Sequence, residues 1–592
     1  MFVSTEISNI KAKTGLQLVK EASESKTIEQ WAEICGIAPA DVTEVAAELA
    51  KYGKRAVIDC HRGVSQHTNG FYNVLAVNTA NALLGNYDWK GGSLWQSAYS
   101  IAGDKDGNPF VIGKMHPKKI TPFGLSIIRH EQKYEDSTIF EGYPAKRNWY
   151  PLASDIYQEI LPSMMDAYPY PMKAVFMYMA SPAYALPGGQ TNIDAMVDVN
   201  KVPLFVASDI TIGEASMYAD YIFPDFSYLE RWEFHGTHPS IPQKVQPVRN
   251  PAIAPMPETV TVFGEKQPIC LETLILAIAE KMNLPGFGKN GLGEGTDFLR
   301  QEDLYLRMVA NVAAGDKPED AVPEASDEEV DAFLKARRHL PATVFDPERW
   351  KNIVGEKWWK KVIYVLNRGG RFQDFEKAYD GEKAKNKYGG LINLYIEKAA
   401  KLKYSITGKK LYGHAVYVPI ADLQGKPIED EKEGYDFTLI TYRDITQTKT
   451  RTIGNYWLNT IRPENYYLIN ASDAKRLGLK DGDLVKVVSK TNTEGVWDLK
   501  HGRKKPMAGK VKVTEGMRPG VVAFSLGHGH WAVGASDVTI DGKKIKGDTR
   551  RATGVHANAA MRLDDHVKNM CLVDPVGGSV SFYDTKVKLV RA

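Results

Sequence analysis

The chain has 592 residues, more than one hydrophobic core of roughly 250 to 300 residues accommodates, so three or four domains are expected. Its composition, 43% hydrophobic and 25% charged with a mean hydropathy of -0.33, is that of a folded globular protein and excludes fibrous or disordered classes. The 75 basic and 72 acidic residues nearly cancel, so the charge balance argues against nucleic acid as a partner.

Four cysteines, Cys35, Cys60, Cys270 and Cys571, are scattered along the chain without a CxxC pair. Zinc and iron–sulfur sites need clustered ligands, so we predict no metal ligand in this chain and four reduced, buried thiols. The segment that starts at Met1 has neither a basic stretch before an apolar core nor a twin arginine, so no export signal is predicted.

The first part of the chain predicts two short helices and then a strand, loop and helix unit. The stretches 27–30 and 41–44 have the spacing of helix capping boxes. An apolar run at 55–60 is predicted as a strand, and a loop at 62–70 leads into a helix rich in Asn and Ala. This order is typical of a doubly wound α/β fold.

The middle of the chain predicts an irregular segment, a second α/β layer and a helical connector. Glycines and prolines interrupt any periodicity between residues 91 and about 170. The apolar runs 173–179 and 203–209 flank a helical stretch and are predicted as parallel strands. From about 286 to 410 the sequence is charged and helical, which indicates a solvated connector; a binding tail is the alternative.

The last part of the chain predicts a small β-barrel, because short β-type runs alternate with Gly, Pro, Asp and Asn. The predicted strands are 437–441, 466–469, 484–489, 509–513, 521–525 and 587–590. The predicted fold class is therefore α/β, with doubly wound Rossmann-like layers followed by a C-terminal barrel.

Three phrases of the sequence resemble the molybdopterin oxidoreductase superfamily of the dimethyl sulfoxide reductase type. The first is 83–92 with the preceding 63–70; the second is 208–225 with the acidic residues that follow it; the third begins at 441–452 and continues to the end. They occur in family order. The stretch 527–542 is similar to the catalytic subunit of tetrathionate reductases, with respiratory arsenate and thiosulfate or polysulfide reductases as relatives.

The resemblance implies how the chain is divided into domains. Residues 1–150 would form a Rossmann-like dinucleotide-binding portion, and 151–285 a second α/β half-domain that binds cofactor. Residues 286–430 would form the helical connector. Residues 431–592 would form a molybdopterin dinucleotide-binding barrel of the double-psi type.

The resemblance also implies the cofactor and the partners. The cofactor would be bis-molybdopterin guanine dinucleotide (bis-MGD) with molybdenum or tungsten, and the reaction the reduction of tetrathionate to thiosulfate. Arsenate, thiosulfate or polysulfide reduction is the alternative. Family members begin with cysteines for a 4Fe-4S cluster and a half-domain that supplies the metal ligand. This chain has neither, so it resembles the C-terminal portion of such a subunit.

Three partners follow from that resemblance: an N-terminal catalytic portion or separate chain, an iron–sulfur electron-transfer subunit, and a membrane anchor subunit. By analogy the complex would be periplasmic or exoplasmic and membrane-associated. Two other interpretations stay open. The chain could be a truncated cofactor-binding polypeptide that is inactive without an N-terminal partner, or a scaffold that kept the fold without redox chemistry.

The resemblance places cofactor-binding residues at strand ends, in glycine loops and in a basic segment. Strand-end carboxylates can accept hydrogen bonds from guanine or ribose, and grouped cations suit phosphate. Helix capping and turn formation by Asp and Asn are the competing interpretations. The implied cofactor-binding residues are Gln66, His67, Asn69, Ser181, Gly189, Asp209, Thr211, Glu230, Arg443, Gln447, Thr450, Arg451, Asn558, Asn569 and Asp574.

Three further residues are implied to be catalytic. His528, His530 and Trp531 would line a substrate funnel or the pterin edge, and a histidine there could donate a proton to a departing group. A purely structural role for these histidines is the competing interpretation.

Overall fold

The structure, a computed structural model, describes residues 3–112, 132–238 and 240–592. The part of the predicted irregular segment between 113 and 131 lies outside these ranges. No helix within the described ranges combines the length and the apolar composition needed to span a membrane.

The N-terminal part is helical after a short hairpin. The Thr27 capping box is confirmed, because the Thr27 side chain accepts from the Gln30 amide and the Gln30 side chain accepts from the Thr27 amide. The second predicted start was wrong: that helix begins at Pro39, since proline suits the first turn. The elements are β1 Ser4–Ile7, β2 Ile10–Lys13, α1 Gly15–Ser23, α2 Ile28–Cys35, α3 Pro39–Tyr52, α4 Arg62–Ser65 and α5 Gly70–Leu84.

The strand predicted at 55–60 is not formed. Residues 56–61 have no strand alongside them within the described ranges, and the amide side chains of Asn81 in α5 and of Asn86 just after it take that place instead. The Ile58 amide donates to Asn81 Oδ1 (2.9 Å), and Asn81 Nδ2 donates to the Ile58 carbonyl (2.9 Å). Asn86 Nδ2 donates to the Ala56 carbonyl (2.7 Å). The segment is extended but belongs to no sheet.

The second α/β layer is confirmed as a parallel sheet. Its strands lie in the order β3–β4–β5, with Val175 opposite Phe205 and Ser208 opposite Phe223. All of their carboxyl ends therefore lie at one edge. The elements are α6 Ile160–Met165, β3 Val175–Tyr178, α7 Pro182–Ala185, α8 Gln190–Met196, β4 Phe205–Asp209 and β5 Tyr221–Pro224.

The region predicted as a helical connector has a core of its own. Leu306, Phe333, Trp350 and Ile363 are buried in it, so this is a packed unit and not only a solvated spacer. The elements from residue 233 to residue 400, of which the first five precede the predicted connector, are β6 Glu233–Phe234, β7 Val245–Arg249, β8 Thr259–Val262, β9 Glu265–Pro268, α9 Leu271–Met282, β10 Gly288–Gly293, β11 Thr296–Phe298, α10 Gln301–Ala314, α11 Asp327–Arg337, α12 Pro347–Val354, α13 Glu356–Asn367, β12 Gly370–Phe372, β13 Tyr379–Asp380, β14 Lys383–Ala384 and α14 Glu397–Ala400.

The C-terminal part forms a closed barrel in the order β15–β21–β16–β20–β17–β24. Each of the six predicted strands is confirmed. The elements are β15 Phe437–Tyr442, α15 Tyr456–Ile461, β16 Tyr467–Ile469, α16 Ala471–Leu477, β17 Leu484–Ser489, β18 Val496–Asp498, β19 Lys504–Pro506, β20 Ala508–Val513, β21 Val521–Ser525, β22 Val538–Ile540, β23 Lys543–Ile545 and β24 Lys586–Arg591.

One hydrophobic core joins the barrel to the parallel sheet. It contains Ile193 and Phe205 from the α/β layer together with Leu439, Tyr467 and Phe524 from the barrel. Buried apolar side chains from both units thus fix the barrel against the sheet. The domain boundaries at 150, 285 and 430 stay predictions.

Candidate functional site

The candidate site lies where two sets of parallel strands end. β15 and β21 are parallel, with Thr441 opposite Phe524, so the loops 443–455 and 526–534 leave the same rim of the barrel. This rim meets the carboxyl edge of the β3–β5 sheet: the Val533 amide donates to the Ile212 carbonyl (2.8 Å), and the Gly188 amide donates to the Asn558 carbonyl (2.8 Å). Ligands of parallel α/β proteins bind at such carboxyl edges.

Four cations converge at the rim. Burial lowers the pKa of Lys449, and the charges of Arg443, Arg62 and Arg451 lower it further. Within the described residues none of the four forms an ion pair with a carboxylate. We call these residues the cation cluster. Grouped cations without carboxylates favour an anionic ligand.

The backbone around the cation cluster is tightly fitted. Lys449 has φ 57°, and a Cβ added to Gly527 would lie 2.7 Å from the Lys449 Cα, so Gly527 is required for this close approach. Gln447 is buried; it donates to Asn459 Oδ1 (2.8 Å) and accepts from Thr452 Oγ1 (2.5 Å). Gln447 therefore supports the loop from inside, whereas Arg443 and Arg451 are exposed and Thr450 is half-buried.

The Arg451 guanidinium also lies over the Tyr228 ring, 5.4 Å from its centroid. Tyr228 follows β5, so this contact is a second link between the rim and the carboxyl edge. Glu230, two residues further on, accepts from the Ser227 amide (2.6 Å) and shapes the same turn.

A buried group of rings lies behind the rim. Tyr184 stacks between His530 (centroids 4.3 Å apart) and His556 (3.6 Å), and its hydroxyl donates to the His528 carbonyl (2.6 Å). Trp531 packs against Trp497 with centroids 4.8 Å apart. We call Tyr184, His528, His530, His556 and Asn558 the ring cluster. His528 and His530 are fully buried, and Trp531 is 5% exposed.

Several polar atoms in and beside the ring cluster have no hydrogen-bond partner within the described residues, although they are buried. Buried polar groups are nearly always paired in folded proteins, so such a concentration is typical of a ligand site. The atoms are both ring nitrogens of His528, His530 Nε2, His556 Nδ1, Asn558 Oδ1, Ser181 Oγ and Ser208 Oγ.

One carboxylate from the α/β layer, that of Glu214, contacts the ring cluster. Glu214, in the loop after β4, accepts from His530 Nδ1 (2.7 Å) and from the Ala532 amide (3.2 Å), and both side chains are almost fully buried. Burial raises the pKa of Glu214, but the charge and hydrogen bond of His530 outweigh it and hold that pKa below its usual value. Glu214 thereby engages His530 at Nδ1, and Nε2 is the nitrogen left for a ligand.

The two other histidines of the ring cluster are held neutral. Burial lowers the pKa of His528 to about 4 and that of His556 to about 3. His556 Nε2 lies 2.6 Å from the Tyr184 carbonyl and therefore donates to it. His556 Nδ1 is then an acceptor.

Because His528 and His556 have lowered pKa values, we expect the stability of the fold to decrease in acid. Because their folded pKa values lie below the ordinary 6.5, neutral rings stabilise the fold above pH 6.5, and this contribution is lost as pH falls towards 4 and 3. The expected loss of stability is on the order of 3 kcal/mol for His528 and on the order of 5 kcal/mol for His556, at about 1.4 kcal/mol per pKa unit. Asp574 has the opposite effect on the pH dependence of stability. Because burial raises its pKa to about 6, its contribution to stability increases as the pH falls.

Urea unfolding between pH 7.5 and 4.5 measures the slope of the free energy of unfolding against pH. His556→Gln is expected to flatten it, whereas His501→Gln, at an exposed position, is not. An unchanged slope in His556→Gln would contradict the prediction.

The residues predicted after β3 and β4 mainly shape their own loops. Asp209 Oδ1 accepts from the Ile210 amide (2.8 Å) and Oδ2 from Ser216 Oγ (2.9 Å), and burial raises the pKa of Asp209. Thr211 is exposed. Ser181 begins α7 and makes no side-chain cap hydrogen bond. Their roles in binding cofactor stay predictions.

Gly189 is required by packing. A Cβ there would lie 1.8 Å from the Ala183 carbonyl oxygen, which is backbone and cannot move aside cheaply. Gly189→Ala is therefore expected to lower the free energy of unfolding by about 2 kcal/mol. Gly63→Ala, where an added Cβ meets nothing within 4 Å, is the matched control. Equal denaturation midpoints for the two variants would show the prediction to be wrong.

The segment 66–69 is held by the end of the chain. His67 Nδ1 lies 2.6 Å from Asp584 Oδ1, and the Thr68 amide donates to Asp584 Oδ2 (2.7 Å). The Gln66 carbonyl accepts from the Phe582 amide (3.1 Å). Asn69 Nδ2 donates to the Val418 carbonyl (2.6 Å). This region connects the α5 N-terminus to the barrel.

Two predicted residues lie away from the rim contacts. Asn569 accepts from Arg147 (3.0 Å) and donates to the Pro162 carbonyl (3.0 Å), in a buried ionic group beside α6. Asp574 accepts from the amides of Phe71, Val576 and Gly577, so it holds α5 against the closing segment. The Asp574 contacts with the Val576 and Gly577 amides resemble the turn-forming alternative given above, whereas the Asn569 side chain links distant segments.

Sequence reasoning missed Arg62, Glu214, Tyr184 and His556 as site residues. Arg62 and Glu214 lie in or beside the family-like phrases, so their charge was a usable signal. Nothing in the local sequence of Tyr184 or His556 indicates that they stack. The thiol prediction was also wrong for Cys35, which is exposed.

The chain is similar to several known proteins. Residues 437–571 match the family described as "Molydopterin dinucleotide binding domain". The chain is 46% identical to a selenate reductase polypeptide of Mesobacillus selenatarsenatis, over 100% of this chain and 56% of that protein. It is 32% identical to a tetrathionate reductase polypeptide of Archaeoglobus fulgidus, over 90% of this chain and 48% of that protein. The chain thus spans about half the length of these relatives.

Among solved structures, acetylene hydratase from Pelobacter acetylenicus has a TM-score of 0.52 and 14% identity, covering 98% of this chain and 66% of its own. At that identity the likeness concerns the fold alone. The predicted fold class, parallel α/β layers followed by a C-terminal barrel, is confirmed.

Proposed function

Because the chain belongs to the molybdopterin oxidoreductase superfamily, we propose that it is the cofactor-binding portion of an oxyanion-reducing enzyme. The observation that carries the proposal is the cation cluster, four cations at the rim without carboxylate partners in the described chain. The ring cluster beside it adds buried polar atoms without partners.

These residues fit bis-MGD. Arg62, Arg443, Lys449 and Arg451 suit its pyrophosphates, because each phosphate accepts charge-assisted hydrogen bonds. Ring nitrogens, serine hydroxyls and the side-chain oxygen Oδ1 of Asn558 suit the polar edges of pterin or guanine. When bound, the cofactor supplies a molybdenum or tungsten centre that transfers two electrons and an oxygen or sulfur atom.

Within that proposal, the cation cluster binds the phosphates of the cofactor, and the ring cluster orients its pterin or guanine. His530 is held by Glu214 with Nε2 directed away from that carboxylate, which suits it to donate or accept a proton at Nε2. His528, neutral at pH 7, would make hydrogen bonds without adding charge. The buried rings exclude water from the region behind the rim.

We propose selenate as the first substrate to test, because the relative named for selenate reduction shares the higher identity. Tetrathionate, which the sequence motif favours, is the second. Both relatives are named as one component of a reductase with several subunits, which supports an electron-transferring partner for this chain. A membrane anchor and an exoplasmic location stay predictions.

Metal and cofactor analysis tests the proposal. Protein produced anaerobically together with the upstream gene product is expected to contain molybdenum or tungsten, and to release guanine nucleotide on acid hydrolysis. Absence of both from that preparation would overturn the proposal. Oxidation of reduced viologen by selenate and by tetrathionate would then rank the substrates by kcat/KM.

A further inference from the structure

A cavity lies between the start of α5 and the segment 404–425, and none of the four residues of the cation cluster lines it. Its volume is about 220 Å³. Four tyrosines line it: Tyr72, Tyr404, Tyr412 and Tyr417. We call it the tyrosine cavity. The Tyr72 and Tyr412 rings meet edge to face with centroids 6.0 Å apart, and the Tyr412 amide donates to the Tyr72 hydroxyl (2.9 Å).

Two buried carboxylates also line the tyrosine cavity. Asp422 is 5% exposed and Asp574 is 1% exposed. A third, Asp564, lies close enough for the charge of Asp422 to raise its pKa, after the larger effect of burial. Within the described residues, none of the three forms an ion pair with Lys or Arg.

Asp422 differs from the other two in its hydrogen bonding. Both oxygens of Asp574 accept backbone amides, and both oxygens of Asp564 do the same. Asp422 Oδ1 accepts from the Gln424 and Lys426 amides (2.9 Å each). Asp422 Oδ2 is buried and has no partner in the described part of the chain. A buried carboxylate oxygen without a partner is costly unless a ligand pairs with it.

We propose that the tyrosine cavity binds a small organic cation with an ammonium head group. Asp422 would supply the counter-charge, and the tyrosine faces would attract the cation through their π systems. Aromatic walls suit an organic cation better than Mg²⁺ or Ca²⁺, which prefer oxygen ligands on all sides. A dinucleotide is excluded by its size and its negative charge.

Lys409 does not act as the positive partner of Asp422. It lines the cavity at an exposed position, and its ammonium makes no ion pair with a carboxylate within the described chain. Tyr412 and Tyr417 are about half exposed, at 51% and 50%. These two rings therefore leave the cavity accessible from solvent.

Calorimetric titration with choline, ethanolamine and putrescine tests the proposal, against sodium chloride at equal ionic strength. At least one probe is expected to bind saturably with 1:1 stoichiometry. Asp422→Asn is expected to weaken that binding at least ten-fold, whereas Asp380→Asn, at an exposed position on β13, leaves it unchanged. The measurement is made on preparations of known metal content, so it is independent of the proposed redox function.

A second pair of variants keeps the test decisive if Asp422→Asn does not fold. Tyr417→Leu removes a π face and is expected to weaken binding several-fold, and Tyr417→Phe retains it. Absence of saturable binding by all three probes would overturn the proposal. Equal affinity of wild type, Asp422→Asn and Tyr417→Leu would overturn it as well.

Discussion

Replacing Arg443 and Arg451 together with glutamine is expected to reduce the metal and guanine nucleotide content of the purified protein to less than about a tenth of wild type. Each arginine can give a phosphate charge-assisted hydrogen bonds worth about 1.5–3 kcal/mol, so losing both weakens binding roughly 100-fold or more. The fold should persist, because both side chains are exposed and neither forms an ion pair in the described chain.

The matched control for that prediction is Arg55→Gln with Arg338→Gln. Both are exposed arginines outside the rim, one after α3 and one after α11, and neither forms an ion pair within the described chain. The control changes net charge equally, so it separates a local effect from a general one. The pair of preparations is compared by elemental analysis and by nucleotide release, with circular dichroism to confirm folding. Equal contents in the two double variants would contradict the prediction.

Removing Glu214 is expected to have the largest effect on stability. Glu214→Ala leaves the buried His530 without its partner and the Ala532 amide without its acceptor, which should lower the free energy of unfolding by about 3–5 kcal/mol. Glu214→Gln retains an acceptor oxygen and should cost about 1–2 kcal/mol. Equilibrium unfolding in urea at pH 7 measures both, with Glu294→Ala in an exposed turn as the control.

The pH dependence of that effect has a defined sign. Since the folded pKa of Glu214 lies below its ordinary 4.5, its contribution is present above pH 4.5 and is lost as pH falls through the folded value. The difference between wild type and Glu214→Gln should therefore shrink in acid. A difference below about 1 kcal/mol for Glu214→Ala at pH 7 would show that the pair does not stabilise the interface.

Sequence patterns predicted the barrel better than the start of the chain. Three of the six barrel strands alternate in burial, as in Phe437–Tyr442, and Val521–Ser525 is an almost continuously buried run, so short β-type runs between turn residues were a sufficient signal. Residues 55–60 also form a short apolar run, but a β-strand needs a neighbouring strand to pair with. The local sequence does not indicate whether such a neighbour exists. The side chains of Asn81, in α5, and Asn86, just after it, fill that role, which strand propensity does not anticipate.

The basic residues of the candidate site could be proposed from the sequence alone, because charged side chains close together in one loop are visible there. Arg443 and Arg451 are part of the cation cluster because one loop carries both. The ring cluster was only half predictable, since His528 and His530 follow a predicted strand, whereas Tyr184 and Glu214 reach them from a sheet far away in sequence. Distances between such residues are set by how the barrel packs on the sheet, which no single segment encodes.

The amide side chains alongside residues 56–60 imply a distinctive hydrogen-exchange pattern. The Ile58 amide is engaged by Asn81, whereas the Val57 and Asp59 amides make no hydrogen bond within the described chain. Slow deuterium uptake at Ile58 between two fast neighbours would be expected. Such alternation usually marks the outermost strand of a sheet, and here one asparagine of a helix, Asn81, would produce it.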